Sequence, residues 1–438
     1  MAEALNEINR LLWQWILPPM LVLTALVWAV HLRGKPLVGF GCSLRKICSS
    51  LRQDHVSKKQ TGIFTSALAA TMGTGNLVGT VLALMTGGAG AVFWMWVSAL
   101  LGMVLVYAEN LLGERHRVLL RDGTVRGGAL ALLHDGLGKR RAAAFFAVCC
   151  SVAGLGMGNL TQSGTVADTA AAYGIPRTVS GLLTAMLLFC LLSGQGRRAA
   201  KALTVLMPVM CVCYLSGCTV LLVRHSAALP AVFGRIFREA FGFRAAASGF
   251  SAYTFLRSLS VGIRRGIFSN EAGLGTSGML HADAEVTERL HPADWAAAEV
   301  FADTVICCTA TALVVLTAPP SAQSSPAAVL LDAFRSGLGS FASGFLAASM
   351  ILFALATAIG WFPCGAAAFR YLFGNSAEPV YLALWVSAGF AGAFGSPEWV
   401  WAFSDCCNGL MALPNLYAML RLLPSGPVSA VEIPDSTA

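Results

Sequence analysis

Two stretches of the chain place glycine and small polar residues in the middle of long apolar segments. The first is GTGN, Gly73 to Asn76, and the second is GIRRGIFSNEAGLGTSG, Gly262 to Gly278. Glycine is poorly suited to a helix interior, and a backbone inside a bilayer must satisfy its own hydrogen bonds. We therefore expect each stretch to interrupt a membrane helix and to expose backbone N–H groups on one side and C=O groups on the other.

Such breaks can bind small charged groups without an ionised side chain. The N–H end carries a partial positive charge and suits a carboxylate. Carbonyl groups, together with hydroxyls such as those of Thr74 or Ser269, suit a small hard cation such as Na⁺. A zwitterionic amino acid needs both kinds of partner. The alternative is that GTGN is a close-packing motif, because glycine is common where membrane helices touch.

The composition is that of a membrane protein. Of 438 residues, 56% are hydrophobic and only 12% are charged, with a mean hydropathy of +0.68; a soluble protein carries about twice that charge fraction. The net charge of +8 does not indicate nucleic-acid binding, because the basic residues lie between the apolar segments. Most of the 13 cysteines lie inside apolar runs without metal-ligand spacing, which is typical of small buried hydrophobic residues.

Apolar segments of spanning length recur along the whole chain and predict an all-α polytopic membrane protein of about eleven helices. The expected helices are 12–31, 61–86, 90–113, 142–171, 177–193, 201–223, 246–283, 293–317, 341–370, 379–395 and 398–421. When the first is set aside, two groups of five remain, each beginning with an interrupted helix. An odd number of spans per group predicts two inverted halves, and paired breaks in such halves are typical of a transporter's midplane site.

The expected organisation has five parts. Residues 1–60 form a first span and a basic cytoplasmic loop, 61–223 and 246–421 form the two repeats, 224–245 form an extracellular loop, and 422–438 form a disordered cytoplasmic tail. About 20 Lys and Arg residues lie on one side of the membrane and about 7 on the other. The positive-inside rule therefore predicts an outside N-terminus and a cytoplasmic C-terminus.

Polar residues at membrane depth are functional candidates, because burying them there is costly. Glu271 lies in the second stretch, and Arg264 or Arg265, one to two turns earlier, is an expected ion-pair partner; equally, Glu271 could only hold the hinge together. Gln162 and Asn159 could bind substrate or tie helices together. Thr357 could supply a cation ligand and Trp361 a pocket wall, beside Gly360, or all three could serve packing alone.

Other polar residues favour structural roles. Asp405 and Asn408 are expected to be structural, and Glu109 and Glu114 are expected to lie at the cytoplasmic interface. Nothing indicates an enzyme or an organic cofactor: GTGNLVG lacks the βαβ context of a dinucleotide site, and His134, His281 and His291 lack metal-ligand spacing.

The motifs resemble those of one family, the alanine or glycine:cation symporters, which are sodium-coupled carriers of small neutral amino acids. The resemblance covers nearly all of the chain beyond residue 60. The matching stretches are ALAATMGTGNLVG, GGAGAVFWMWVSALLGM with YAE, GMGNLTQSGTVAD, GIRRGIFSNEAGLGT, FADTVI, LFALATAIGW and SDCCNGLMALPN.

The resemblance implies a fold similar to the leucine-transporter architecture, with five plus five inverted helices and an extra N-terminal helix. It also implies a substrate site between the two breaks and helices four and nine, formed by Gly73, Thr74, Gly75, Asn76, Gln162, Phe268, Ser269, Asn270, Gly273, Thr357, Gly360 and Trp361. The implied Na⁺ site uses carbonyls and hydroxyls near the first break, with Thr74, Asn76 and Thr357, and Arg265 and Glu271 are candidates for charge or gating roles.

The chain departs from the family pattern at several positions. Ala89 stands in GGAG where members read GGPG, and GTSGMLHADA adds Gly278 and Asp283. Phe362, Pro363, Cys364, Gly365 and Ala366 replace Ser-Tyr-Tyr-Gly-Glu after the Gly-Trp pair. Gly164 replaces a common Asn and Val106 a common Lys.

The sequence therefore predicts Na⁺-coupled uptake of a small neutral amino acid, alanine or glycine, across the cell membrane by alternating access. The expected partners are the amino acid, Na⁺ and membrane lipid, with no nucleic acid. Two alternatives remain: proton coupling through Glu271 or Asp283, and an amino-acid-binding relative that does not transport.

Overall fold

The computed structural model describes residues 2–52, 57–194, 197–241, 249–286, 291–323, 325–395 and 397–424, and most of these residues are helical. The N-terminal helices are α1 (Ala2–Arg10), a π turn (Leu11–Ile16), α2 (Leu17–His31), α3 (Lys35–Val38) and α4 (Phe40–Arg52).

The central part runs from the first break to the middle of the chain. Its elements are α5 (Lys58–Thr71), a π turn (Gly75–Gly79), α6 (Thr80–Gly87), α7 (Gly90–His116), β1 (Val118–Leu119), β2 (Val125–Arg126), α8 (Gly128–Ala131), a π turn (Leu132–Gly136), α9 (Arg140–Ala153), a π turn (Gly154–Leu160), α10 (Thr161–Ala171), α11 (Arg177–Leu192) and α12 (Arg197–Arg224). The two strands form a small antiparallel hairpin with Val118 opposite Arg126.

The second half contains the other interrupted helix. Its elements are a 3₁₀ turn (Ser226–Ala228), α13 (Leu229–Phe241), α14 (Gly249–Asn270), α15 (Ser277–Leu280), α16 (Pro292–Val300), a π turn (Phe301–Cys308), α17 (Thr309–Thr317), α18 (Pro326–Leu338), α19 (Phe341–Phe373), a 3₁₀ turn (Asn375–Ala377), α20 (Glu378–Gly392) and α21 (Pro397–Arg421).

Seven helical segments among the described residues are long and apolar enough to cross a bilayer. They are Leu5–His31, Lys59–Gly87, Gly90–His116, Arg140–Ala171, Val205–Arg224, Pro292–Thr317 and Phe341–Phe373, and Arg177–Leu192 is apolar but shorter. The structure thus confirms an all-helical polytopic membrane protein. The other three expected spans coincide with α14, α20 and α21, but the count of eleven and the inverted repeat stay predictions.

Several helices were not expected from the sequence. The predicted basic loop before residue 60 contains α4, the predicted loop 224–245 contains α13, and α18 follows the expected span 293–317. Helix α13 is amphipathic, with Val232, Ile236 and Ala240 buried at helical spacing. Its Glu239 Oε2 accepts a hydrogen bond from the Ala89 N–H (2.7 Å) at the start of α7. The predicted disordered tail lies almost wholly outside the described residues.

The first break is a short non-helical link between α5 and the following π turn. Met72 ends α5 with an extended backbone (φ −78°, ψ 90°), and helical geometry resumes at Thr74. Residues 73–76 are all buried in the protein. The first interruption is therefore confirmed, at the N-terminal edge of GTGN.

The second break lies in the C-terminal part of the stretch Gly262 to Gly278, because α14 is helical as far as Asn270. Glu271, Gly273 and Gly275 then adopt left-handed backbone conformations, with φ of 57°, 80° and 92°. Glycine adopts this conformation readily, whereas Glu271 does so only under strain. The expected helix 246–283 therefore ends at Asn270, and the helix after the break, α15, has only four residues.

Close packing brings the breaks into the protein interior. Helix α7 lies along α14 and α16, and α19 lies along α5, α9 and α10. The largest fully buried side chains include Trp13, Trp361, Trp385 and Tyr381. By contrast, α11 and α12 expose apolar side chains such as Leu182 and Val205, as expected of lipid-facing helices.

Candidate functional site

A buried carboxylate connects the two breaks. Asp303 lies in the π turn that precedes α17 and is fully buried. Its Oδ1 accepts a hydrogen bond from Asn76 Nδ2 (2.6 Å) in the first broken helix, and its Oδ2 accepts one from Ser269 Oγ (2.8 Å) at the end of α14. Thr304 Oγ1 also donates to Oδ2 (2.7 Å). The three partners are neutral, so the cluster can still accept a positive charge.

The peptide groups of the first break have polar partners. The Gly73 N–H donates to Asn76 Oδ1 (2.9 Å). Gln162 Oε1, on α10, accepts hydrogen bonds from the Thr74 Oγ1 (2.9 Å) and from the Thr74 N–H (3.4 Å). These contacts confirm that Thr74, Asn76 and Gln162 lie together. A carboxylate could take the place of Asn76 Oδ1 and Gln162 Oε1 as the acceptor of the backbone N–H groups of Gly73 and Thr74.

Thr357 lies on the carbonyl side of the same break. Its Oγ1 donates to Ala69 O (2.9 Å) and lies 3.4 Å from Met72 O. A Cβ added to Gly73 would lie only 2.2 Å from this hydroxyl. Two carbonyl oxygens and one hydroxyl thus meet where α5 ends, which is a donor set that suits a small hard cation.

The second break is held by the side chain that begins it. Glu271 accepts hydrogen bonds from Trp361 Nε1 and from Thr276 Oγ1 (2.9 Å). Trp361 lies on α19, one turn beyond Thr357, so the same helix contacts both breaks. Phe268 packs against Trp401 (4.8 Å between ring centroids, with the rings tilted by 39°) and lies against Gly75.

Three expected site residues also make close contacts within the protein. A Cβ on Gly360 would lie 2.6 Å from Ala70 N, and one on Gly273 would meet Leu21 Cδ2 at 2.9 Å. Asn270 Oδ1 accepts a hydrogen bond from the Ala272 N–H (3.1 Å) in its own loop, and Asn270 Nδ2 donates one to Thr304 Oγ1 (3.1 Å). Their positions support close helix contact at Gly273 and Gly360, and a hinge-holding role for Asn270.

The expected ion pair between Glu271 and the neighbouring arginines is wrong. The buried Arg265 pairs with Asp405 on α21, with Nη2 2.5 Å from Oδ2, and Arg264 Nε lies 3.8 Å from the same oxygen. The Arg265 guanidinium also lies over the rings of Phe268 (5.4 Å) and Trp401 (5.1 Å). Arg265 and Glu271 are six residues apart, and at about 100° per residue this places their side chains about 120° apart around a helix axis. The two side chains therefore project from different faces.

We expect Asp405→Ala to lower the melting temperature of the purified protein, because it leaves the buried Arg265 charge without its carboxylate. Breaking such a pair costs about 3–5 kcal/mol. The double variant Arg265→Met/Asp405→Leu should recover most of the loss. Glu378→Ala is the matched control, because its pair with Arg370 is partly exposed and such pairs contribute about 0–1 kcal/mol. Equal melting temperatures for all four proteins would contradict this prediction.

The expected interfacial position of Glu109 is also wrong. Glu109 is fully buried: its Oε1 accepts from the Gly278 N–H (2.8 Å) and its Oε2 from Asn415 Nδ2 (3.1 Å). It therefore anchors the segment after the second break. Glu114, as expected, lies near the surface, where it pairs with His291 (2.8 Å). Asp283 is exposed in a turn.

Asp303 is the residue that the sequence reasoning did not single out, although its motif FADTVI was noted. A signal was present, since an acidic residue inside an apolar segment of spanning length is a functional candidate. Its partner Asn76 lies 227 residues away, so no local pattern indicates that the two meet.

The chain is similar to known transporters along most of its length. Residues 1–430 match the sodium:alanine symporter family. The chain is 33% identical over 431 residues to the sodium/alanine symporter AgcS of Methanococcus maripaludis, covering 95% of this chain and 94% of that protein.

Two further relatives come from bacteria. An "uncharacterized transporter" of Haemophilus influenzae is 36% identical over 365 residues, covering 82% of this chain and 79% of its own length. The Bacillus subtilis protein named "Probable sodium/glutamine symporter GlnT" is 30% identical over 425 residues, covering 94% and 87%. The chain therefore belongs to the sodium:alanine symporter family, and it is a membrane transporter rather than an enzyme.

Proposed function

We propose that the chain carries a small neutral amino acid of the alanine or glycine class into the cell together with Na⁺, by alternating access. The named relative AgcS, a sodium/alanine symporter, supports this substrate class. We further propose the five-plus-five inverted repeat of residues 61–223 and 246–421, a cell-membrane location, and an outside N-terminus with a cytoplasmic C-terminus.

The observation that carries the proposal is the position of Asp303. A buried carboxylate surrounded by neutral donors costs several kcal/mol unless a positive charge accompanies it. Because Asp303 touches both broken helices through Asn76 and Ser269, a bound Na⁺ or substrate ammonium would stabilise the arrangement in which the two breaks are together. That differential stabilisation is what couples ligand binding to a conformational change.

The substrate carboxylate is assigned to the N–H side of the first break. Gly73 and Thr74 offer backbone N–H groups that now bind Asn76 and Gln162, and both amide side chains can turn to the ammonium instead. Phe268 and Trp361 are assigned to the pocket walls, with Gly75 leaving room for Phe268. One Na⁺ charge that moves inward through a membrane potential of 100 mV, negative inside, contributes about 2.3 kcal/mol to driving the uptake.

Thr357, Ala69 O and Met72 O form the proposed Na⁺ site at the carbonyl side. A cation there would replace the hydroxyl proton as the partner of the two carbonyl oxygens. It would fix α19 against the end of α5 and so favour one arrangement of the first break.

The decisive measurement uses the pure protein in proteoliposomes. Labelled alanine or glycine should accumulate when a Na⁺ gradient points inward, and a membrane potential that is negative inside should increase the rate. Equal uptake in potassium or choline would contradict sodium coupling.

The second candidate is proton coupling, favoured by the buried carboxylate of Glu271. Its contacts with Trp361 and Thr276 would change if it gained a proton. Uptake driven by a pH gradient without Na⁺, and lost in Glu271→Gln, would replace the sodium proposal. Amino-acid binding without counterflow exchange would instead indicate a relative that does not transport.

A further inference from the structure

A large cavity lies beside the N-terminal helix, separate from the two breaks. Its volume is about 750 Å³, within the range of small-molecule sites. Helices α1, α6, α10, α14 and α21 contribute to its walls, and residues near the start of α18 close one side. The proposed function makes no use of this cavity.

The cavity has an excess of positive charge where α14 meets α21. Arg264 and Arg265 both line it, and their shared partner is the single carboxylate of Asp405. Arg265 makes the short contact with that carboxylate and is 4% exposed. Arg264 is 26% exposed, and its Nε lies 3.8 Å from Asp405 without a hydrogen bond. Nε and Nη1 of Arg265 also lack a hydrogen-bond partner, but that side chain is buried, so Arg264 is the more accessible arginine for an anion in the cavity.

The remaining lining suits a small zwitterion better than a simple anion. Asp168, which pairs with Arg177, supplies a carboxylate on α10. Asn9 also lines the cavity: its Nδ2 donates to Ala402 O on α21 (2.7 Å), and its Oδ1 has no hydrogen-bond partner. A positive ligand group has acceptors at both places, while Trp401 and Val78 add apolar surface.

One layer of aromatic side chains separates this cavity from the first break. Trp401 lines the cavity and packs against Phe268. Phe268 in turn lies against Gly75, whose added Cβ would be 3.5 Å from the ring. The side chains of Trp401 and Phe268 therefore lie between a ligand in the cavity and the central site.

We propose that this cavity is an outer amino-acid-binding site, in which Arg264 binds the carboxylate of the incoming substrate before it passes Phe268 and Trp401. The proposal rests on the proposed function for the identity of the ligand. Arg265 and Asp405 form the floor of the site, and Asn9 and Asp168 are the acceptors for the substrate ammonium.

The test measures labelled L-alanine binding in lipid nanodiscs without Na⁺, in the variant Asp303→Asn, which removes the buried negative charge of the central site. This single variant should retain weak, Na⁺-independent binding, and adding Arg264→Gln should weaken it at least tenfold. Arg264→Lys should restore part of it, since it keeps the charge. Arg238→Gln, an exposed arginine outside the cavity, is the control and should leave binding unchanged. Size-exclusion profiles establish that each variant is folded.

Competition identifies the recognised group. Unlabelled alanine should displace the label, acetate should displace it weakly, and alaninamide, which lacks the carboxylate, should not. No residual binding in Asp303→Asn, or residual binding that Arg264→Gln leaves unchanged, would overturn the outer site. Failure of the wild-type protein to take up alanine with Na⁺ would instead reject the proposed function, so the two failures are distinguishable.

Discussion

Asp303→Asn is expected to reduce Na⁺-dependent amino-acid uptake by roughly a hundredfold while leaving the protein folded. Asparagine has almost the same shape and can still hydrogen-bond Asn76 and Ser269, but it carries no charge. The contact that the variant removes is between a buried carboxylate and a bound cation, and such contacts contribute about 3 kcal/mol or more. The measurement is initial uptake in proteoliposomes as a function of Na⁺ concentration.

The control for this variant is Asp283→Asn, which removes a carboxylate from an exposed turn and should leave uptake unchanged. The melting temperature of Asp303→Asn without Na⁺ should equal or exceed that of the wild type, because the variant removes a buried charge. If its half-saturating concentrations of Na⁺ and of alanine both lie within twofold of the wild-type values, Asp303 is not the coupling carboxylate.

Gly73→Ala is expected to abolish transport through a steric effect at the first break. The new Cβ would lie 2.2 Å from Thr357 Oγ1 and 3.1 Å from Thr357 Cβ, so α19 and the break cannot keep their contact. Overpacking of this kind costs about 1–3 kcal/mol. The hydroxyl would also lose its position beside Ala69 O and Met72 O. We expect a lower melting temperature and no measurable Na⁺-dependent uptake.

Two further variants separate the steric effect from the loss of the cation ligand. Gly62→Ala lies in the same helix with no atom within 4 Å of the added Cβ, so uptake should be normal. Gly73→Ala/Thr357→Ala removes the clashing hydroxyl and should recover the melting temperature, yet not Na⁺-dependent uptake. Wild-type uptake by Gly73→Ala alone would show that the hydroxyl of Thr357 has no part in cation binding.

The sequence was sufficient to predict both interruptions, with Glu271 inside the second. Within the stretch Gly262 to Gly278, however, Gly262 and Gly266 do not interrupt the helix, because α14 is helical through both. Added Cβ atoms there would lie 2.5 Å from Ala91 O and 2.0 Å from Ser98 Oγ, so these two glycines allow α14 to approach α7. Glycine for packing and glycine for a break look alike in a single sequence.

The partners of charged residues were the part that could not be predicted. Arg265 was expected to pair with Glu271, six residues away, but it pairs with Asp405, which is 140 residues away. Glu109 was placed at the interface because it precedes a basic loop, yet it holds the Gly278 N–H in the interior. Local spacing predicts which side chains share a helix face, whereas tertiary packing decides which faces meet.

The π turns have a consequence for the spacing of the site residues along the chain. Three of them, at Gly75–Gly79, Gly154–Leu160 and Phe301–Cys308, lie in helices that supply the central polar contacts. A π turn accommodates one residue more than regular α-helix does. Deleting a single residue from Gly154–Leu160 would restore regular winding and rotate Gln162 by about 100° relative to Thr74. Loss of one residue there during evolution would thus change the direction of the Gln162 amide without any substitution in the site.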